Sequence, residues 1–465
     1  MCPDEGGSPW REIRTTHFAL KTNLSSEGAL QSVRELEQFR GALLSVLWPD
    51  SQEPPGVLET IVLRNPSQLE EFAGPHIGGY FARSRSGPLM VMSSRTYLAG
   101  DYGLDVSIVA HELTHYLSSF ALARQPKWLA EGFATYMETA KVLYEDGRVE
   151  VGSLPPDRLR FAERHRVPLA MLWTWGVVPI ESEDASDLYA TSWLLVHLLI
   201  NHHPQQFAAF LDRLGAGEEP GLAFAAALPA ITPEQLDHEL ASYVSSGKYA
   251  VIQIRTTGEE TPARERQLSP AAAHLARANL WLNSPGVSSR AEAESRALSE
   301  IDEALRHSPK DADALVLRQQ LVPSNAGARA LTELLPSDPR AWRQLARTLE
   351  ADPKGQAAAL DRSLALNGAD AEVLIVRSQL HAVAGNLEAA LNLSEKAVAL
   401  EPFSVDALIA FARANAQAGN CSVATQAYSR AIERLAERGS DGTRALLLEQ
   451  RRKVERSCGK ATPAE

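Results

Sequence analysis

The sequence predicts an α+β domain followed by an all-α helical-repeat domain. Residues 10–100 combine strand-like alternation with helical periodicity, and mostly helical segments follow as far as residue 250. Beyond residue 270 the chain becomes rich in alanine and leucine, and similar segments recur 34 residues apart. The predicted parts of the chain are a flexible leader at 1–9, a mixed domain at 10–252, a linker at 253–269 and a repeat domain at 270–460.

The elements of the mixed domain follow from its apolar periodicity. Apolar runs of strand length, such as HFALKTN and GPLMVMSS, predict strands, whereas apolar residues spaced by three or four predict amphipathic helices. Pro126 suits the first turn of a helix, where its missing N–H costs no hydrogen bond. Polar residues over 256–270 indicate the end of the domain. The predicted strands are 17–23, 57–65 and 87–94, and the predicted helices include 27–47, 106–120, 127–143, 185–202 and 233–246.

The C-terminal domain carries an internal repeat. The tripeptide at 384–386 recurs at 418–420, which is a shift of 34 residues, and apolar positions match under the same shift. This period, with two helices in each unit, is the signature of tetratricopeptide repeats. The domain therefore resembles a tetratricopeptide (TPR) solenoid, with about five helix pairs and a capping helix over 441–457. Such a solenoid presents a concave surface to a peptide or protein partner.

Composition narrows the class of function. The 465 residues are 45% hydrophobic and 22% charged, which is an ordinary globular mixture. The formal net charge of −12 argues against a nucleic-acid partner, since the chain offers no basic stripe to neutralise phosphates. No apolar stretch reaches the length that a transmembrane helix requires.

The three cysteines bear on the cellular compartment. Cys2, followed by a short polar leader, is placed like the lipid-modified cysteine of a bacterial lipoprotein, and a chance cysteine is the alternative. Cys421 and Cys458 lie at the ends of predicted helices, and a disulfide between them would imply an oxidising compartment. These features favour an exported bacterial protein, either periplasmic or lipid-anchored, although three cysteines also fit a cytoplasmic protein.

The stretch HELTH carries a candidate metal site. His111 and His115 are four residues apart, so both imidazoles face one side of a helix, and Glu112 lies beside them. Two chance histidines on one helix face are the alternative interpretation. Zinc needs a third protein ligand, and Glu131 on the next predicted helix can face the two histidines. Glu138 shares the face of Glu131 and either supports the site or forms an exposed salt bridge.

H-E-x-x-H followed by W-L-x-E-G-x-A resembles the gluzincin metallopeptidases. Together with the C-terminal repeats, the pattern resembles the bacterial peptidase-MA-like family, and the resemblance covers about residues 10–250. It implies a thermolysin-like (zincin) catalytic fold that binds one zinc ion through His111, His115 and Glu131. It also implies that Glu112 is the catalytic carboxylate. Related peptidases place an oxyanion-binding tyrosine on a later helix, where Tyr189 is the candidate and a core tyrosine is the alternative.

The resemblance further implies an edge strand that binds extended substrate through main-chain hydrogen bonds. The run Leu89, Met90, Val91 and Met92 has the right place in the chain for that strand. Aminopeptidases of this type carry a G-x-M-E-N segment, whose glutamate binds the free amine of the substrate. This chain has no glutamate there, so we expect an endopeptidase.

The predicted function is zinc-dependent peptide hydrolysis, with Glu112 as the general base toward water. The repeats would then recruit a substrate or a partner protein. The alternative function is a TPR scaffold whose zincin domain is inactive, and a third interpretation keeps the metal but hydrolyses a non-peptide amide. His197, His202 and His203 lie near a helix end and are interpreted as solvated or capping residues.

Overall fold

The structure is a computed structural model in which the chain separates into two compact units, Met1–His307 and Ser308–Glu465. Among the described residues, no helix has both the length and the apolar character needed to cross a membrane. The structure describes residues 2–47, 54, 56–84, 87–96, 102–122, 124–143, 148–153, 156–175, 182–246, 249–255, 262–402, 404–435 and 441–459.

The first unit contains two sheets. Their strands are β1 (Arg11–Arg14), β2 (Phe18–Thr22), β3 (Leu58–Leu63), β4 (Gly79–Ser84), β5 (Gly87–Thr96), β6 (Tyr102–Leu104), β7 (Lys141–Leu143), β8 (Arg148–Val151), β9 (Ile252–Arg255) and β10 (Arg264–Gln267). The larger sheet has the order β10-β1-β2-β3-β5-β4, with β6 paired to β5. In it β2, β3 and β5 run parallel, whereas β4 joins β5 antiparallel and forms one edge, with β10 at the other. The smaller sheet is antiparallel, with the order β7-β8-β9.

The helices of the first unit lie between and after its strands, and most of them contribute to one continuous hydrophobic core. They are α1 (Ser26–Leu47), α2 (Pro66–Ala73), α3 (Val106–Ala121), α4 (Lys127–Met137), α5 (Pro156–His165), α6 (Leu169–Thr174), α7 (Ser182–His202), α8 (Pro204–Gly215), α9 (Pro220–Ala227), α10 (Pro233–Ser246), α11 (Pro270–Leu282) and α12 (Arg290–His307). Helix α3 lies against β4 and β5, and α4 packs against both α3 and α7. This stack places α3 between the sheet and α4.

Most predicted elements of this unit are present with bounds that differ by a few residues. The predicted helix over 127–143 is an exception, because α4 ends at Met137 and residues 141–143 form β7 instead. Strand β7 pairs with β8, and this tertiary pairing overrides the local helical periodicity. Sheet pairing therefore decides where α4 ends.

The predicted linker at 253–269 contains two strands of the first unit. Strand β9 pairs with β8 and β10 pairs with β1, while residues 256–261 lie outside the described ones. All four residues of β10 are exposed, so its polar sequence has no alternation to reveal a strand. An ion pair attaches β10 to β1: Nε of Arg266 donates a hydrogen bond to the buried carboxylate of Glu12 at 2.5 Å.

The predicted flexible leader is folded over its described residues 2–9. A 3-10 helix spans Pro3–Glu5, and the side chain of Cys2 before it is fully buried. A lipid on the Cys2 thiol would require this segment to move. The lipid anchor stays a prediction.

The second unit is all-helical over its described residues. Its helices are α13 (Ala312–Leu321), α14 (Asn325–Leu334), α15 (Pro339–Arg347), α16 (Pro353–Leu366), α17 (Ala371–Val383), α18 (Leu387–Leu400), α19 (Val405–Gln417), α20 (Cys421–Leu435) and α21 (Asp441–Gly459). Consecutive helices pack in pairs, and α21 packs on α20. The starts of α17 and α19 are 34 residues apart, as are those of α18 and α20. The unit is therefore a TPR-like arrangement of helix pairs.

Glycines terminate the first helix of both well-matched repeats. Gly385 and Gly419 have φ values of +79° and +81°, which is the left-handed region that favours glycine. Asn386 then caps α18 by accepting a hydrogen bond from the Ala389 N–H. In the first of these repeats, the glycine of the Gly-Asn dipeptide therefore ends one helix and the asparagine caps the next.

The first predicted repeat pair belongs to the first unit. Trp281 of α11 packs on Phe72 with ring centroids 4.6 Å apart, and Gly286 N–H donates to the Phe72 carbonyl at 3.1 Å. The boundary between compact units consequently follows residue 307. The predicted repeat domain, in contrast, begins at residue 270.

The predicted disulfide involves the last two helices of the second unit. Cys421 is disulfide-bonded, and Cys2 is a free cysteine. Cys458 lies in α21, but its side chain is outside the described part of the structure. The pairing of Cys421 with Cys458 stays a prediction.

Candidate metal centre

Two packed helices bring the three predicted ligands together. Asp105 caps α3 by accepting from the Ser107 N–H, and His111 and His115 follow one turn apart on the same face. Helix α4 begins after Pro126 and carries Glu131 in its second turn. Because α4 packs on α3, the carboxylate of Glu131 faces both imidazoles.

The donor atoms of this triad are close to one another. Nε2 of His111 and Nε2 of His115 are 3.0 Å apart. Oε2 of Glu131 lies 3.4 Å from the His115 Nε2 and 3.7 Å from the His111 Nε2. Zinc bonds of about 2.0–2.2 Å in tetrahedral geometry separate neighbouring donors by about 3.3–3.6 Å. The three separations therefore fit ligands around one ion.

The atoms of the triad that face one another are not satisfied by protein partners alone. Oε2 of Glu131 is buried and accepts no hydrogen bond from the described residues. A buried carboxylate oxygen without a partner is costly. The two facing Nε2 atoms of His111 and His115 likewise need a proton or a cation between them. The residues present therefore fit a divalent metal ion.

Glu138 supports the first ligand. Its Oε1 lies 2.8 Å from Nδ1 of His111. With the proton on Nδ1, the His111 Nε2 keeps its lone pair for a metal, as carboxylate–histidine–metal arrangements require. Burial alone lowers the pKa of His111, but the bond to Glu138 and the nearby carboxylates outweigh it and raise that pKa. The structure places Glu138 against His111, and its role at a metal site stays a prediction.

Glu112 points into the same site from α3. Its side chain is buried, and burial is the main cause that raises the pKa of its carboxyl above the ordinary value. The Phe81 N–H of β4 donates a hydrogen bond to the Glu112 carboxylate. Glu131 behaves differently: burial alone raises its pKa, but His115, His111 and Lys127 outweigh burial and lower it. The two glutamates therefore differ in how readily they take up a proton.

Tyr189 reaches the site from α7. Burial raises its pKa well above the ordinary value, and the charges of Glu131 and Glu112 raise it further. The phenol therefore keeps its proton and can donate a hydrogen bond. Its ring is held edge-on against Trp175, with centroids 5.1 Å apart. The structure thus brings Tyr189 to the predicted metal ligands.

Gly132 lets α4 and α7 approach closely enough to bring Tyr189 near Glu131. A Cβ atom at Gly132 would lie 2.6 Å from the Ser192 carbonyl oxygen and 2.8 Å from a methyl of Val196. Both neighbours belong to α7, which also carries Tyr189. The glycine of the W-L-x-E-G segment therefore has a packing role beside Glu131.

The predicted edge strand is wrong. Leu89, Met90, Val91 and Met92 are buried in β5, which pairs with β3 on one side and with β4 on the other. A strand paired on both sides has no free main-chain groups for a substrate. The edge strand beside β5 is β4, a strand that the sequence pattern did not predict.

A signal for β4 is present in the sequence segment HIGGYFAR. A Cβ atom at Gly79 would lie 2.6 Å from a methyl of Ile108 on α3 and 3.1 Å from the Val91 carbonyl oxygen. Only a residue without a side chain fits so close a contact between strand and helix. The two consecutive glycines before the aromatic residues of β4 therefore indicate where this edge strand packs against α3.

His197 is also placed differently from its prediction as a solvated residue. It is fully buried, with Nδ1 2.6 Å from the Tyr243 hydroxyl and Nε2 3.0 Å from the Gly152 carbonyl oxygen. Burial lowers its pKa, so it is a neutral core histidine. In contrast, His202 and His203 contact Glu239 near the end of α7.

Solved structures of several proteins are similar to parts of this chain. No family profile and no curated protein matches this chain. TTC0263, a TPR protein of Thermus thermophilus, is 18% identical, with a match that covers 40% of this chain and 98% of that one at a TM-score of 0.30. YrrB, a TPR protein with an unusual peptide-binding site, is 22% identical over 39% and 92% at a TM-score of 0.27. Yeast Tom70 is 11% identical over 74% and 72% at a TM-score of 0.32.

Proposed function

We propose that the first unit is a zinc-dependent peptidase and, more narrowly, an endopeptidase. One observation carries the proposal: a buried, unpartnered oxygen of Glu131 faces the Nε2 atoms of His111 and His115 at separations that suit one ion. Zinc held by these residues would lower the pKa of a bound water and polarise a carbonyl group. Nitrogen and oxygen donors of this kind suit zinc.

Within this proposal, the remaining residues move protons and stabilise charge. Glu112, with a pKa raised by burial, accepts a proton from the attacking water and delivers it to the leaving amine. Tyr189 donates its hydroxyl proton in a hydrogen bond to the oxyanion that forms on the substrate carbonyl. Glu138 keeps the His111 ring in its tautomer and orientation. The thermolysin-like fold implied by the motifs belongs to this proposal.

The edge strand β4 supports a polypeptide as substrate. Its outer side is unpaired within the described sheet, and the Phe81 N–H connects it to Glu112. An extended peptide that adds to this edge passes close to the general base. Main-chain recognition of this kind does not require a chain terminus, which favours internal cleavage.

The test is digestion of a peptide library by the zinc-loaded full chain, with Glu112→Gln beside the wild type and Glu70→Gln as a matched control on an exposed position. We expect internal cuts by wild type and Glu70→Gln. Glu112→Gln should retain zinc and lose activity by about 10²–10⁴-fold. Terminal trimming would point to an exopeptidase. Near-normal turnover by Glu112→Gln, or no cleavage by zinc-loaded wild type, would refute the proposal.

A second candidate function is peptide binding by the TPR-like unit. Helices α15, α16 and α17 line a groove of about 350 Å³, to which two arginines, two glutamates and several apolar side chains contribute. Val383 at this groove is 87% exposed, which is unusual for a valine. The groove suits an extended segment with both apolar and charged residues.

Selection of a peptide library on the inactive Glu112→Gln chain tests this second function. Selected peptides should lose affinity when Val383 is changed to Asp. They should keep it when Val322, exposed elsewhere in the same unit, is changed to Asp. Equal binding by both variants would exclude this groove.

A further inference from the structure

A second group of metal-ligating side chains lies at the start of the chain, outside the proposed peptidase site. Cys2 precedes the 3-10 helix Pro3–Glu5, Asp4 lies within it, and His274 comes from α11. One ligand atom from each of these residues lies within 4.8 Å of the other two. Sulfur, nitrogen and oxygen donors therefore converge from segments about 270 residues apart.

The residues that supply the sulfur and nitrogen donors of this group are buried. Cys2 is 0% exposed and His274 is 1% exposed. The carboxylate side of the group is more open, because the Asp4 side chain is 23% exposed. An ion could therefore enter past Asp4 and meet two buried donors.

Neighbouring charges orient the histidine. Nδ1 of His274 lies 2.7 Å from Oε2 of Glu300, and Oε1 of the same carboxylate accepts from Arg277 at 2.7 Å. Arg277 in turn donates to Glu71 at 2.8 Å. Nε2 of His274 lies 3.3 Å from Oδ2 of Asp4, and an ion bound between them would replace the proton on Nε2 while Nδ1 keeps its own. Metal-binding histidines are oriented by carboxylates in this way.

A second histidine holds the carboxylate. Nε2 of His307, at the end of α12, lies 2.8 Å from the same Oδ2 of Asp4. The rings of His307 and His274 are nearly parallel, at 18°, with centroids 5.8 Å apart. Asp4 is thus fixed between two imidazoles beside the Cys2 thiol.

We propose that Cys2, Asp4 and His274 form a second metal site for a zinc-class divalent ion, with His307 as the residue that positions Asp4. One thiolate, one imidazole and one carboxylate form a donor set that suits zinc better than calcium or magnesium. The bound ion would tie the beginning of the chain to α11. Its role is structural, and it does not depend on the proposed peptidase function.

Cobalt substitution of the full chain tests the site, because only one of the two groups contains sulfur. Cobalt(II) bound to a thiolate absorbs strongly in the near ultraviolet, and His111, His115 and Glu131 supply no thiolate. We expect this band in the wild type and its loss in Cys2→Ser. Metal analysis by mass spectrometry should show one metal ion fewer in Cys2→Ser and in His274→Gln. A tag, if needed, belongs at the C-terminus.

Two controls separate the sites. The double variant His111→Ala/His115→Ala should keep the thiolate band, and His238→Gln, at an exposed histidine of α10, should keep both the band and the metal content. Cys2→Ser should keep the far-ultraviolet circular dichroism of the wild type, which shows that the unit is folded. If the wild type shows no Cys2-dependent band, the second site is refuted, whatever the peptidase assay gives.

Discussion

At the scale of single residues, Glu138 tests how the proposed zinc site is organised. Its carboxylate lies 2.8 Å from Nδ1 of His111, on the side of the ring away from the other ligands. We expect Glu138→Gln to weaken zinc binding by about 10–100-fold, because the neutral amide holds the imidazole less firmly in the required tautomer. Competition with a chromophoric chelator measures the affinity. Glu70→Gln is the matched control, and equal affinity of both variants would contradict this role.

Tyr189 gives a second test at the same scale. Its raised pKa keeps the hydroxyl proton in place for donation to an oxyanion. We expect Tyr189→Phe to lower kcat by about 10²-fold while zinc content and KM change little, since the hydrogen bond forms in the transition state. Steady-state kinetics on one cleavable peptide measure both parameters. An unchanged kcat would leave Tyr189 as a core residue.

At the scale of elements, the packing of α4 on α7 depends on Gly132. Its Cβ would lie 2.6 Å from a backbone oxygen of Ser192, so Gly132→Ala must push the two helices apart. We expect a loss of about 1–3 kcal/mol in unfolding free energy, together with reduced activity. Gly41→Ala in α1 is the control, because nothing lies within 4 Å of that Cβ position and alanine favours helix. Urea denaturation of both variants measures the difference.

The attachment of β10 to β1 gives a prediction about pH. Burial alone raises the pKa of Glu12, but the hydrogen bonds from Arg266 and Arg14 outweigh it and lower that pKa. The stabilisation by Glu12 is therefore present above its unfolded pKa of about 4.3 and disappears as the pH falls through its folded pKa. We expect Glu12→Gln to destabilise the chain more at about pH 7 than at about pH 3. Equal losses in urea denaturation at both pH values would contradict the ion pair.

At the scale of the whole molecule, metal binding should stabilise one of the two compact units. Both candidate metal sites lie within Met1–His307. An ion at 100 times its dissociation constant adds about 2.7 kcal/mol to the unit that binds it. We expect chelation to lower the unfolding temperature of the first unit and not that of the second. Calorimetry measures the two unfolding temperatures, with the double variant His111→Ala/Cys2→Ser as a metal-free control. An equal shift of both units on chelation would contradict binding within the first unit.

The sequence by itself determined the features that depend on local periodicity and spacing. The period of 34 residues predicts the helix pairs of the second unit, because each helix pair is a local structure. The spacing of His111 and His115 likewise determines that both face one side of α3. The sequence also suggested Glu131 as their partner, and the packing of α4 on α3 brings it there.

Only the tertiary structure decided which strand forms the sheet edge, where the first unit ends and what lies beside Cys2. Strand order depends on pairing between distant segments, so the apolar run at 89–92 did not reveal that β4 lies outside β5. The exposed strand β10 has no apolar face, and its polar sequence resembles a linker. Cys2 and His274 are far apart in sequence, and only folding brings a thiol, an imidazole and a carboxylate together. Non-local contacts of this kind leave no periodic signal in a single sequence.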